Sequence, residues 1–133
     1  MPDGRVMVSG GGRFNGLDEP TDQLTAEFFT PPYLFKGPRP VIASAPLTLQ
    51  YGQPFTVGTP DASRIGSVQL VRFGNVTHTF NSGQHLVPLA FSAAGGSLTV
   101  TAPVNANMAP PGYYLLFIVD SLGVPSVAAV VHF

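Results

Sequence analysis

Residues 110–117 read PPGYYLLF, and the role of Tyr114 in that stretch decides how the chain folds. Two prolines and a glycine interrupt whatever structure precedes them. An apolar run follows, and it predicts a strand over 113–119. Tyr114 stands near the start of that strand, two residues before the apolar Leu116. In sandwiches of two antiparallel sheets, a tyrosine placed this way forms a corner. Its hydroxyl returns to the backbone a few residues upstream, and the residue two positions on faces the core. Leu116 would then fill the core site that a cysteine occupies in antibody domains. Two ordinary strand tyrosines fit the same letters equally well.

Outward from this stretch, short strands recur every 8 to 12 residues or so, which is the rhythm of a β-sandwich of immunoglobulin type. Strands are expected near 40–44, 47–50, 54–58, 66–73, 76–80, 86–91, 97–101 and 126–132. Turn residues separate them: Tyr51-Gly52, Gly74-Asn75, Asn81-Ser82-Gly83, Gly95-Gly96 and Leu122-Gly123. Val68, Leu70 and Arg72 share one face of their strand, and Gln69, Val71 and Phe73 the other. Leu86 to Ala94 is the one stretch with any helical character, and Val87 and Pro88 oppose it. Ahead of this region, strands are expected at 5–9 and 24–29. Lys36-Gly37-Pro38-Arg39-Pro40 marks a boundary, dividing the chain into a hairpin and linker over 1–37 and a sandwich over 38–133.

Hydrophobic residues make up 44% of the 133 and charged residues 10%, enough apolar surface for a packed core. The 15 glycines and 14 prolines are scattered between apolar runs, the signature of many turns and few helices. A net charge of −1 provides no electrostatic footprint for nucleic acid. No apolar run reaches the roughly 20 residues a membrane-spanning helix needs. The opening MPDGRVMVSGGG has no apolar h-region, so no signal peptide is expected in it. It places a Pro-Asp-Gly turn ahead of a strand with no strand before it. The chain is therefore expected to start inside a larger protein.

The chemistry-bearing residues are few. Phe73 to His85 reads FGNVTHTFNSGQH, with His78 between two threonines that would face away from it on a strand. Imidazole is a common nitrogen ligand for copper and zinc, and a hairpin tip would present it outward. One histidine is not a metal site, which needs three or four ligands. From spacing alone, a satisfied or exposed histidine is the simpler reading. His85 lies seven residues on, close enough for a hairpin to unite the two, and His132 belongs to the terminal strand. Asp18, Glu19 and Asp22 form an acidic loop better read as solvated than as a calcium site. Gly10-Gly11-Gly12 lacks the Gly-Lys-Ser/Thr and helix of a phosphate loop. No Gly-x-Ser-x-Gly motif exists, and there is no cysteine. Phe28, Phe29, Tyr33 and Phe35 read equally as a carbohydrate surface or as packing between hairpin and sandwich.

Five motifs in one order carry a resemblance: PDGRVMVSGGG, EFFTPPYLFKGPRP, YGQPFTV, VQLVRFGNVTHTFNSGQ and APPGYYLLFIVDSLGVPSVA. Over essentially its whole length the chain resembles the C-terminal region of the galactose oxidase and glyoxal oxidase family of copper radical oxidases. The resemblance implies an immunoglobulin-like early-set sandwich from about residue 38. Residues 1–37 would be strands of the last blade of a seven-bladed propeller, the partner domain of a longer parent. It also implies that Thr77-His78-Thr79 matches the family's THT motif, which makes His78 one of the copper ligands. The remaining ligands would lie in the propeller, outside this chain. The family's radical cofactor needs a cysteine cross-linked to a tyrosine, so it cannot form here. His85 stands where the family often has arginine. The parent is accordingly expected to be a secreted copper-dependent alcohol or aldehyde oxidase that produces hydrogen peroxide, with this chain inactive alone. A non-catalytic early-set module for packing, dimerisation or carbohydrate binding is the alternative. Cut from its propeller, the 1–37 segment is expected to fold back on the sandwich, pair with a second copy through its edges, or remain disordered.

Overall fold

A computed structural model describes residues 1–10, 24–78 and 80–133. Gly11 and Gly12, the acidic Asp18, Glu19 and Asp22, and Thr79 lie outside the described residues. In chain order the strands are β1 (Val6–Ser9), β2 (Ala26–Phe29), β3 (Pro54–Gly58), β4 (Ile65–Arg72), β5 (Val76–Thr77), β6 (Phe80–Asn81), β7 (Leu86–Leu89), β8 (Phe91–Ala94), β9 (Ser97–Thr101), β10 (Tyr113–Asp120) and β11 (Ala129–His132). The order β11-β10-β4-β7 forms one sheet and β3-β9-β8 a second, with every pair antiparallel.

Alternation along the strands builds the core. Tyr114, Leu116 and Ile118 of β10 are wholly buried, as are Leu70 of β4 and Val131 of β11. Val57, Leu98 and Val100 join them from the other sheet in one cluster. Each such side chain contributes about 1.5–3 kcal/mol by leaving water. The architecture is thus an all-β, immunoglobulin-like sandwich, as the spacing predicts.

Tyr114 makes the corner. Its hydroxyl donates to the Pro110 carbonyl at 2.6 Å. Burial pushes its phenol pKa up, which keeps the proton available for that bond. Phe133 crosses its ring edge-on at 5.8 Å and stacks on Tyr51 at 4.6 Å. Tyr113, by contrast, is exposed, with its ring edge against Phe73 and His132. The two tyrosines are therefore not equivalent, and Leu116 does face the core.

Four expected strands change on inspection. The segments 40–44 and 47–50 are not continuous strands. Ser44 bridges Gly58 of β3, and Thr48 bridges His132 of β11 in parallel. Pro46, with no N–H to give, lies where the chain passes from one sheet to the other. The expected strand at 126–132 begins only at Ala129. The Ser126 hydroxyl takes the Ile118 N–H, and the Ala128 N–H goes to the Pro2 carbonyl. The stretch 76–80 is broken at His78, as described below. By contrast, Leu86 to Ala94 is strand on either side of Ala90. Gly95 and Gly96, both at positive φ, make the two-residue turn from β8 into β9.

β1 and β2 pair as a separate hairpin, Val6 opposite Phe29 and Ser9 opposite Ala26. Its strands are exposed along their whole length. Contact with the sandwich comes from the turn that precedes them. Arg39 donates to the carbonyls of Asp3, Pro125 and Ser126. The Tyr33 hydroxyl reaches the Gly4 carbonyl at 2.7 Å. The first residues thus fold back on the sandwich, while Phe28, Phe29 and Phe35 remain at least half exposed.

Two outcomes are expected in equilibrium unfolding. Tyr114→Phe strands the Pro110 carbonyl and lowers stability by about 1–2 kcal/mol, whereas Tyr113→Phe stays within about 0.5 kcal/mol of the parent chain. Equal losses in urea titrations would remove the corner from this account. Asp61 supplies the acid dependence. The Val41 N–H at 2.8 Å and then the Arg64 guanidinium at 3.0 Å hold its carboxyl below the ordinary 3.8. The folded pKa is the lower one, so this contribution is full above the ordinary value and is lost as pH falls through the depressed one. Between about pH 5 and about pH 3, Asp61→Asn is expected to lose less unfolding free energy than the parent chain.

Candidate functional site

His78 sits at the tip of a small hairpin that leaves the sandwich where β4 ends. Val76 pairs with Asn81 and Thr77 with Phe80, so β5 and β6 contribute two pairs. His78 follows at φ 51°, in the left-handed region, and no other non-glycine residue described has a positive φ. That conformation reverses the chain and breaks the expected strand alternation. The threonine before it does not face away: Thr77 Oγ1 lies 2.8 Å from His78 Nδ1. The left-handed backbone costs a β-carbon residue of the order of 1 kcal/mol, and histidine tolerates it better than most.

The hairpin has little apolar packing. Val76 is 69% exposed and Phe80 70%. Polar bonds hold its base instead. The Ser82 N–H donates to the Asn75 carbonyl at 3.1 Å. Asn81 Oδ1 accepts the N–H groups of Asn75 at 3.0 Å and Gly83 at 3.1 Å. At the root of the hairpin, Arg72, Phe73, Asn75, Ser82 and Tyr113 line an open cleft of about 460 Å³.

The other histidines are engaged elsewhere. His85 Nε2 donates to the Met108 carbonyl at 2.7 Å. His132 lies in β11, with Nε2 3.3 Å from Thr48 Oγ1. Among the described residues no group of three or more His, Cys, Asp or Glu side chains could hold a metal ion. His78 suits copper chemically as one nitrogen donor. The described residues do not complete a set around it. Sequence reasoning took Asn81 for a turn former only. The signal was available, because an asparagine two residues before a glycine commonly accepts that glycine's N–H.

Comparison with known proteins bears on this geometry. A family model, "Galactose oxidase-like, Early set domain", matches residues 39–133. This chain belongs to that family. A galactose oxidase of Gibberella zeae is 37% identical over 139 residues, covering 99% of this chain and 20% of its own length. An aldehyde oxidase GLOX of Vitis pseudoreticulata is 37% identical over 143 residues, 96% of this chain and 27% of its own. Among solved structures, a fungal alcohol oxidase of the AA5 family, in complex with copper, superposes with a TM-score of 0.86 at 33% identity. The match covers 99% of this chain and 29% of that one. The early-set chain therefore spans between a fifth and three-tenths of these relatives.

In the early-set chain the hairpin side chains Val76 and Phe80 add nothing to the sandwich core. Val76→Ser combined with Phe80→Ser is expected to leave the unfolding free energy within about 0.5 kcal/mol of the parent. A larger loss by calorimetry would mean that the hairpin packs on the sandwich.

Proposed function

We propose that this chain is the C-terminal early-set module of a longer copper radical oxidase and that it supplies His78 as one copper ligand. One observation carries the reading. The histidine of the family's THT motif stands at the tip of a projecting hairpin whose apolar side chains, Val76 and Phe80, face solvent. Exposed apolar side chains around a polar tip are what a surface intended for burial in a partner displays. An upstream propeller in the same polypeptide is the proposed partner, and β1 and β2 are proposed to complete its last blade.

Bound copper would supply the redox centre for oxidising a primary alcohol or aldehyde at the expense of dioxygen, yielding hydrogen peroxide. This chain's part is to bring one imidazole to a fixed place and to shield it from bulk water with the flanking Val76 and Phe80. It is proposed not to be catalytic in isolation. The longer protein is read as secreted, by the same resemblance.

Two measurements test this. The purified chain, supplied with Cu(II) and a primary alcohol or an aldehyde, is expected to release no hydrogen peroxide above the buffer rate. In the longer protein, His78→Ala is expected to lower copper affinity at least about 100-fold, since outer-shell changes alone cost roughly 10- to 100-fold. It should also alter the Cu(II) electron paramagnetic resonance spectrum. Unchanged affinity and spectrum would sink the ligand role.

A second reading is favoured by the β1–β2 hairpin. Its Val6, Val8, Phe28 and Phe29 are about half exposed on a sheet of two strands. A non-catalytic module that packs against a second copy through residues 1–37 would bury them. Sedimentation as a monomer at all concentrations would remove that reading.

A further inference from the structure

We infer that Asn81 is a positioning residue for His78, acting through the backbone of the β5–β6 hairpin. The inference rests on the reading of His78 as a ligand, since only a ligand gains from being held in one place.

A ladder of two residue pairs is too short to hold itself in water. Apolar packing does not help it, because Val76 and Phe80 are mostly exposed. Side-chain bonds hold the described residues at its polar base. A single atom, Asn81 Oδ1, ties Asn75 on the outgoing side to Gly83 on the returning side. Two N–H donors converge on that atom, which identifies it as the amide oxygen. The Asn75 carbonyl closes the same ring by accepting the Ser82 N–H.

The surrounding glycines make room for this clamp. A β-carbon on Gly74 would lie 3.0 Å from Asn81 Nδ2. One on Gly83 would lie 3.0 Å from both the Asn75 nitrogen and the Phe73 carbonyl oxygen. The backbone therefore comes close enough around Asn81 that larger residues would push it out. Asn81 is also paired with Val76 in the ladder, two residues before His78. Fixing its side chain fixes the strand that leads to the left-handed His78. The clamp thus sets the position and direction of the tip through the backbone.

The test uses ¹⁵N-labelled 133-residue chain and three proteins: the parent, Asn81→Ala and Asn81→Asp. Asn81→Ala deletes the acceptor. Asn81→Asp keeps a carboxylate oxygen at the same place above its titration. Amide exchange at Asn75 and Gly83, and fast backbone motion at Thr77 and His78, are read by nuclear magnetic resonance, alongside the urea midpoint of the sandwich. The expected result is at least about 5-fold faster exchange at both amides in Asn81→Ala. The order at Thr77 and His78 should fall, and Asn81→Asp should restore both at neutral pH. The urea midpoint should stay near that of the parent, because the hairpin is outside the core. Unchanged exchange and order in Asn81→Ala would overturn the inference, as would failure of Asn81→Asp to rescue. A general loss of stability in both variants would overturn it too, by making Asn81 a plain folding residue. Copper takes no part in this measurement. A clamp that behaves as expected beside a His78→Ala protein that binds copper normally would discard the ligand reading alone.

Discussion

The hydrogen bond from the Tyr114 hydroxyl to the Pro110 carbonyl holds the end of the sandwich from which the β5–β6 hairpin emerges. It fixes the start of β10, which lies between β4 and β11 and is one of the two interior strands of the larger sheet. Because Tyr114 pairs with Arg72, the last residue of β4, the corner also fixes where β4 ends. The next residue, Phe73, donates its N–H to Tyr113 and sets its ring edge against that tyrosine. The hairpin that carries His78 starts three residues later, at Val76. A buried phenol at one position thus determines where an exposed imidazole emerges.

The far end of β10 is held by charge. Asp120, almost wholly buried, accepts the N–H groups of Leu122 and Val124 through Oδ1 and the Arg64 guanidinium through Oδ2. Arg64 also grips Asp61, which in turn takes the N–H of Val41. A buried carboxylate is tolerable only with this degree of pairing. The sandwich is therefore closed by a phenol at the hairpin end and by an arginine shared between two carboxylates at the other.

Sequence reading recovers the parts of this that depend on periodicity and turn chemistry. The strands around Leu70 and Val100 alternate, the strand around Leu116 is a continuous apolar run, and Gly95-Gly96 marks a tight turn. The tyrosine corner was legible as one of two possibilities, since nothing in the letters separates a buried Tyr114 from an exposed one. The crossing at Pro46 was not legible, because Ser44 and Thr48 make single bridges to different sheets and leave no periodic trace. His78 shows the same limit at the site. Its alternation with Thr77 and Thr79 predicts a strand, but a positive φ at a histidine has no sequence signature. The motif order, not the spacing, gave His78 its importance. The role of Asn81 depends on which backbone groups come within reach of one side-chain oxygen, and only the folded hairpin reveals that.

The β1–β2 hairpin is held by its turn and not by its strands, and this has a mechanical consequence. Asp3 and Gly4 are pinned to Arg39 and Tyr33, while β1, paired with β2, extends for four residues, about 13 Å at ordinary strand rise. Those bonds set the direction of its near end. A tilt of one degree there displaces Ser9 by roughly 0.2 Å, set against a strand-to-strand spacing of about 4.8 Å. Any sheet that β1 and β2 join would therefore have its angle to the sandwich set by the bonds from Arg39 to Asp3 and Tyr33 to Gly4 and by the Ala128 N–H on the Pro2 carbonyl. A change at Arg39 would alter the angle at which β1 and β2 leave the sandwich.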